Sequence, residues 1–155
     1  MRKLLNQFKE TVYKDDLKRV LTYCSISAIL FGVLAGALQY LAIITLNITT
    51  SIVIYIIAYM IGKELRDRVM TYHILYSILG VVFFFLGYIF YNVSYAAFIY
   101  KDIPFVLSYF FSPNGFLNLA FGFIDFKYDP FGSILDIIIM IFCIMTVWRM
   151  SAYRK

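Results

Sequence analysis

No Lys, Arg, Asp or Glu lies between Arg19 and Lys63, a stretch covering residues 20–62. A second such gap covers 69–100, and a third, 130–148, is broken only by Asp136. A helix needs about 20 apolar residues to cross the hydrocarbon core of a bilayer. A segment in that core must also satisfy its own backbone hydrogen bonds, which limits it to helices or closed barrels. Gaps of this length therefore predict an all-α integral membrane protein. Composition agrees, with 63% hydrophobic, 20% aromatic and 15% charged residues, more apolar surface than a soluble chain of 155 residues could hide.

The first gap is about two crossings long, so it holds two helices. Their turn falls at Asn47-Ile48-Thr49-Thr50-Ser51, where polar and β-branched residues cluster. The predicted spans are 20–45, 49–62, 69–91 and 131–148. Residues 1–19 read as a basic N-terminal helix, with Leu5, Phe8 and Val12 at helical spacing and Lys3, Lys9, Lys14 and Lys18 around them. Lys63-Glu64-Leu65-Arg66-Asp67-Arg68 reads as a charged loop. The first apolar stretch is longer than a signal-peptide core, so no cleaved signal is expected. The expected organisation is residues 1–19 followed by one transmembrane domain over 20–155.

Of the 14 Lys and Arg residues, all but Lys101 and Lys127 lie in 1–19, 63–68 or the tail after Trp148. With four spans these three segments share one side, and the positive-inside rule makes it the cytoplasm. The expected location is the cell inner (plasma) membrane, multi-pass, with both termini inside. The basic residues flank apolar runs, so the formal charge of +5 points to a lipid bilayer as partner and not to nucleic acid. Between the third and fourth spans, 103–124 is charge-free but interrupted by Ser112-Pro113-Asn114-Gly115. The interruption predicts two short aromatic-rich pieces, 104–111 and 115–124, forming an extracytoplasmic cap rather than a fifth span.

Catalytic signatures are missing. There is no His-Glu-x-x-His, Gly-x-Ser-x-Gly or P-loop, and one His rules out a His-rich metal site within the chain. Cys24 and Cys143 sit in apolar segments outside any metal or redox motif. Neither an enzyme nor a bound cofactor is expected. Asp136 stands out, because an ionisable group inside a span is costly and points to function or to a packed polar contact. Gln39 lies at nearly the same depth, about six residues from the outer end of its helix, and is the expected partner of Asp136. His73, one turn inside the third span, reads as an interfacial histidine or a pH sensor. Ala28, Gly32 and Gly36 form a small-xxx-small face that brings two helix backbones together, within this chain, between copies or with another protein. Lys63, Arg66 and Arg68 form a basic cluster at the membrane surface. Asn47-Ile48-Thr49 and Asn92-Val93-Ser94 match glycosylation sequons.

The run Ile61-Gly62-Lys63-Glu64-Leu65-Arg66, then Tyr72 and an apolar helix, and the close Met145-Thr146-Val147-Trp148-Arg149, carry a resemblance. Over residues 20–91 and 130–150 the chain resembles a group of small bacterial four-helix membrane proteins. Some of its members bear an N-terminal zinc ribbon, for which this chain has no cysteines. The resemblance implies a bacterial inner-membrane protein and brings no activity with it. Three functions follow as expectations. The first is an accessory or assembly subunit of a larger membrane complex, engaging a membrane-protein partner or a second copy. The second is an oligomeric channel or small transporter using Asp136 and Gln39. The third is a lipid-acting membrane enzyme whose 63–68 cluster grips a headgroup.

Overall fold

A computed structural model describes residues 14–46, 52–69, 73–121 and 130–152. Among them every regular element is a helix. We name these α1 (Lys14–Leu46), α2 (Ile52–Arg68), α3 (Ile74–Tyr100), α4 (Ile103–Phe110), α5 (Pro113–Phe121) and α6 (Pro130–Ala152). Among the described residues α1, α3 and α6 are long and apolar enough to cross a membrane. The predicted turn at 47–51 and most of the basic segment, residues 1–13, lie outside the described residues.

The four longer helices alternate in direction. At one end of the bundle the Arg68 guanidinium, closing α2, sits 4.5 Å from the Tyr23 ring centre near the start of α1. At the same end Ser151 of α6 donates to Ser77 of α3 at 2.9 Å. At the other end Tyr40 of α1 stacks on Phe98 of α3, centres 5.3 Å apart. Helix α3 is the central member: half of its apolar window is buried inside the protein, against 22% for those of α1 and α6. The outer faces of α1 and α6 expose Leu30, Leu34 and Leu38, and Ile134, Ile138 and Phe142, the apolar surface a lipid environment would cover.

Three predicted boundaries are corrected. The charged stretch 63–68 is not a loop but the last turns of α2. Lys, Glu, Leu and Arg are all good helix formers, and Glu64 pairs with Arg68 one turn on, accepting from Nη2 at 2.9 Å and Nε at 3.0 Å. Helix α3 starts five residues later than predicted and ends nine later. No breaker follows Tyr91, and the helix stops only at Lys101, whose φ of 53° is left-handed and whose N–H reaches the Ala97 carbonyl. The N-terminal segment is not separate from the first span: from Lys14 onward it is continuous with α1 through a single π-helical turn, Val20–Cys24. Between α3 and α6, Asp102 caps α4 by accepting from the Phe105 N–H at 3.0 Å, and Ser112 caps α5 by accepting from Gly115 at 3.0 Å.

Candidate small-molecule site

The Gly32 and Gly36 backbone fixes how deep the site can be. A Cβ at Gly32 would stand 2.3 Å from the Gly87 carbonyl oxygen, and one at Gly36 would stand 2.6 Å from that of Tyr91. Ala28, fully buried, presents its carbonyl oxygen to Gly87 one turn earlier. The small-residue face of α1 is thus occupied by α3 of the same chain. Close backbone approach also admits a hydrogen bond between the helices, from Ser94 Oγ to the Val33 carbonyl at 2.9 Å.

Beyond Gly36 larger side chains meet between the two helices, Tyr40 against Phe98. There, between α1, α3 and α6 and beneath α4 and α5, lies a half-open cavity of about 630 Å3. Gln39 and Asp136 both line it. Gln39 is only 3% exposed, and its amide oxygen is buried with no hydrogen-bond partner. Burying such an acceptor unpaired costs about 1–3 kcal/mol, and the oxygen is sealed from the cavity, with under 1 Å² of accessible surface. Asp136 is half-buried and lies within electrostatic reach of Tyr88 and Tyr91.

The rest of the wall mixes aliphatic and aromatic side chains, with tyrosines prominent. Tyr88, Tyr91 and Tyr95 recur at i, i+3 and i+7 on one face of α3. Their rings form a stack, with centres 6.0 Å apart in the first pair and 6.4 Å in the second. Asn92, on the same face, hydrogen-bonds Tyr88 and donates to the Leu119 carbonyl of α5 at 2.8 Å. Opposite, Phe105 stacks on Tyr109, whose hydroxyl accepts from Asn118 at 2.7 Å. Apart from Asn92, which the sequence marks only as part of a sequon, none of these residues stands out from the sequence. Their signal was present in the 88/91/95 spacing with Asn92, but among 14 tyrosines a helical repeat reads as core or interface.

The other expected site residues fall elsewhere. His73 is not inside a span. It is the N-cap of α3, 8% exposed, and its Nδ1 accepts from the Leu75 N–H at 3.1 Å. It sits at the opposite end of the bundle from Asp136. Arg68 is held by Glu64 and Tyr23, Arg66 lies 3.6 Å from Asp67, and Lys63 stands exposed without such a contact among the described residues. Cys24 and Cys143 are buried free thiols. Among the described residues no group of three His, Cys, Asp or Glu could hold a metal. Asn92, fixed inside the bundle, is no free sequon, and Asn47 lies outside the described residues. Comparison with protein-family models, curated proteins and solved structures gives no match for the chain.

Proposed function

We propose that this protein is a small polytopic membrane protein that binds a small polar solute in the cavity between Gln39 and Asp136, and passes it toward or across the bilayer. The observation that carries the reading is a cavity of about 630 Å3 lined by both Gln39 and Asp136, two polar side chains on otherwise apolar helices. That volume falls in the range of small-molecule sites, about 300–1,000 Å3. Ionisable groups in spanning helices concentrate on solute and proton pathways. We read the chain as a binder or carrier and not as an enzyme.

The accessory-subunit reading drew on the lack of catalytic groups, the small-residue face of α1 and the aromatic cap, and of these the small-residue face is covered by α3 of the same chain. The lipid-enzyme reading drew on the 63–68 cluster, where Arg68 is already paired. In our reading α2 is a fourth span despite its 17 residues, because it is packed among helices of spanning length with its charged end beside the start of α1. Both termini are cytoplasmic, α4 and α5 form an extracytoplasmic cap over the cavity mouth, and the membrane is the bacterial plasma membrane. The positive-inside rule supports this orientation.

Cysteine accessibility tests the reading. Ala96 lines the cavity, whereas Leu38 is on the exposed face of α1. In reconstituted vesicles Ala96→Cys should react with a charged, water-soluble methanethiosulfonate and Leu38→Cys should not. An unreactive Ala96→Cys would mean that the cavity is closed to polar solutes, and the proposal would fall.

A further inference from the structure

We infer that α4 and α5 are a re-entrant hairpin, sunk tip-first into the outer leaflet, with lipid acyl chains covering its outward face. This rests on the four-span topology proposed above and goes beyond it, because a cap by itself implies no depth.

The depth is read along α3. A Cβ on Gly80 would meet Val147 Cγ1 at 3.0 Å, so Gly80 is level with a residue two positions before Arg149. Tyr100 is followed directly by Lys101 and Asp102. Gly80 and Tyr100 are 20 residues apart on one helix. At 1.5 Å per residue that is about 30 Å, the thickness of a hydrocarbon core. Phe90 is halfway. Helix α1 gives the same level independently. Phe90 Cβ lies 3.0 Å from where a Cβ on Gly32 would stand, and Gly32 is near the middle of the charge-free part of α1, residues 20–46.

Helix α4 runs back along α3 from its outer end to that level. Phe105, in the first turn of α4, packs on Tyr100 with ring centres 5.8 Å apart. Phe110, its last residue, packs on Phe90 at 6.4 Å. The 8 residues of α4 span about 12 Å, close to half the core. Phe116 of α5 lies 5.9 Å from Phe110, which sets the turn between the helices near the midplane.

Two features suit this turn to lipid. Backbone at such depth must satisfy its own hydrogen bonds. The N–H groups of Phe111, Ser112 and Phe116 donate to the carbonyls of Leu107, Tyr109 and Ser112. The Gly115 N–H donates to the Ser112 hydroxyl, and Pro113 has no N–H to place. The outward surface is also apolar. Phe111 is 79% exposed, Leu107, Phe116 and Leu117 are exposed beside it, and 103–124 carries no charge. On the inner side Val106 and Tyr109 line the cavity, so the hairpin is the wall between the cavity and the acyl chains.

Spin labelling of the full-length protein in lipid vesicles tests the depth. Cys24 and Cys143 are buried, so a nitroxide attaches to one introduced cysteine at a time. Leu34→Cys, on the exposed face of α1 two residues from Gly32, is the mid-depth lipid reference, and Lys101→Cys is the water reference. Oxygen concentrates in hydrocarbon, and a nickel chelate stays in water. The ratio of oxygen to nickel collisions at Phe111→Cys should match that at Leu34→Cys and exceed that at Lys101→Cys several-fold. Leu107→Cys, one turn nearer the outer surface, should fall between, so the gradient does not depend on one variant. Asn114→Cys should react with a water-soluble maleimide from outside alone, several-fold more slowly than Lys101→Cys. A ratio at 111 equal to that at 101, or equal labelling rates at 114 and 101, would place the hairpin in water and overturn the inference. Few collisions with either reagent at 111 would mean that protein covers this face, a second copy where the nitroxides couple to one another, and would overturn the lipid assignment. In both cases labelling of Lys101→Cys from outside leaves the four-span topology standing. Labelling of Lys101→Cys from the cytoplasmic side would overturn the topology and the inference with it.

Discussion

Gly32 and Gly87 face each other across the α1–α3 contact so closely that a Cβ on Gly32 would lie 2.3 Å from the Gly87 carbonyl oxygen. The obstacle is backbone, which cannot swing aside as a flexible side chain could. Gly32→Ile and Gly36→Ile should each force the helices apart and cost about 1–3 kcal/mol or more, the usual price of overpacking. Val33→Ile, on an exposed position between them, should change stability by no more than about 0.5 kcal/mol. Thermal unfolding in one mild detergent checks all three. Equal midpoints would remove the packing argument.

His73 gives a second prediction, because its role is to accept a backbone N–H at the start of α3. His73→Asn keeps a short acceptor at the N-cap and should be close to wild type. His73→Leu leaves the Leu75 N–H without its partner and should cost about 1 kcal/mol. Detergent-stability midpoints of the two variants check it. A pH sensor would instead lose its response in both variants alike.

The native thiols supply a third. Cys24 is 1% exposed and Cys143 0%, so neither should react with a membrane-permeant maleimide until the protein is unfolded. Mass spectrometry before and after denaturation reads this directly. Rapid labelling of Cys143 in the native state would place the α6 packing face in question.

The proposed topology yields a fourth. A reporter fused after Lys155 should be active on the cytoplasmic side, and a cysteine introduced at Asn114, in the first turn of α5, should be labelled only from outside. The reverse pattern would invert the orientation. An external C-terminus together with external labelling at 114 would show that the basic segments do not share one side.

Much of the helix inventory was legible because charge-free length is a direct measure of lipid compatibility, and α1, α3 and α6 fall on the three gaps. The break at Ser112-Pro113 was legible too, since a proline can start α5 but not continue α4. Helix ends were less so. Nothing apolar distinguishes Lys63 to Arg68 from a loop, since its helical state depends on propensity and on the Glu64–Arg68 pair. The end of α3 depends on a left-handed Lys101, and lysine carries no local signal for that conformation. At the site, depth counting along the predicted helices put Gln39 and Asp136 level, and both line one cavity. The tyrosine wall escaped because its members look like any membrane-interface aromatics until α4 and α5 fold over them.

The π-helical turn at Val20–Cys24 has a consequence for how this chain can tolerate change in length. A π turn holds one residue more than the α turn it replaces, and each α-helical residue carries 100° of rotation. The segment from Lys14 to Arg19 is therefore set about a third of a revolution away from the face it would present on an uninterrupted helix. Asp16, 5% exposed, owes its inward direction to that offset. Deleting one residue from 20–24 would let the turn close as regular α-helix and, because the deleted residue is the extra one, keep Asp16 in phase with Gly32, Gly36 and Gln39, whereas inserting one residue there would swing Asp16 away from the bundle. Such an insertion separates the two halves of α1: the half that builds the cavity keeps its phase, and the half at the basic end loses it.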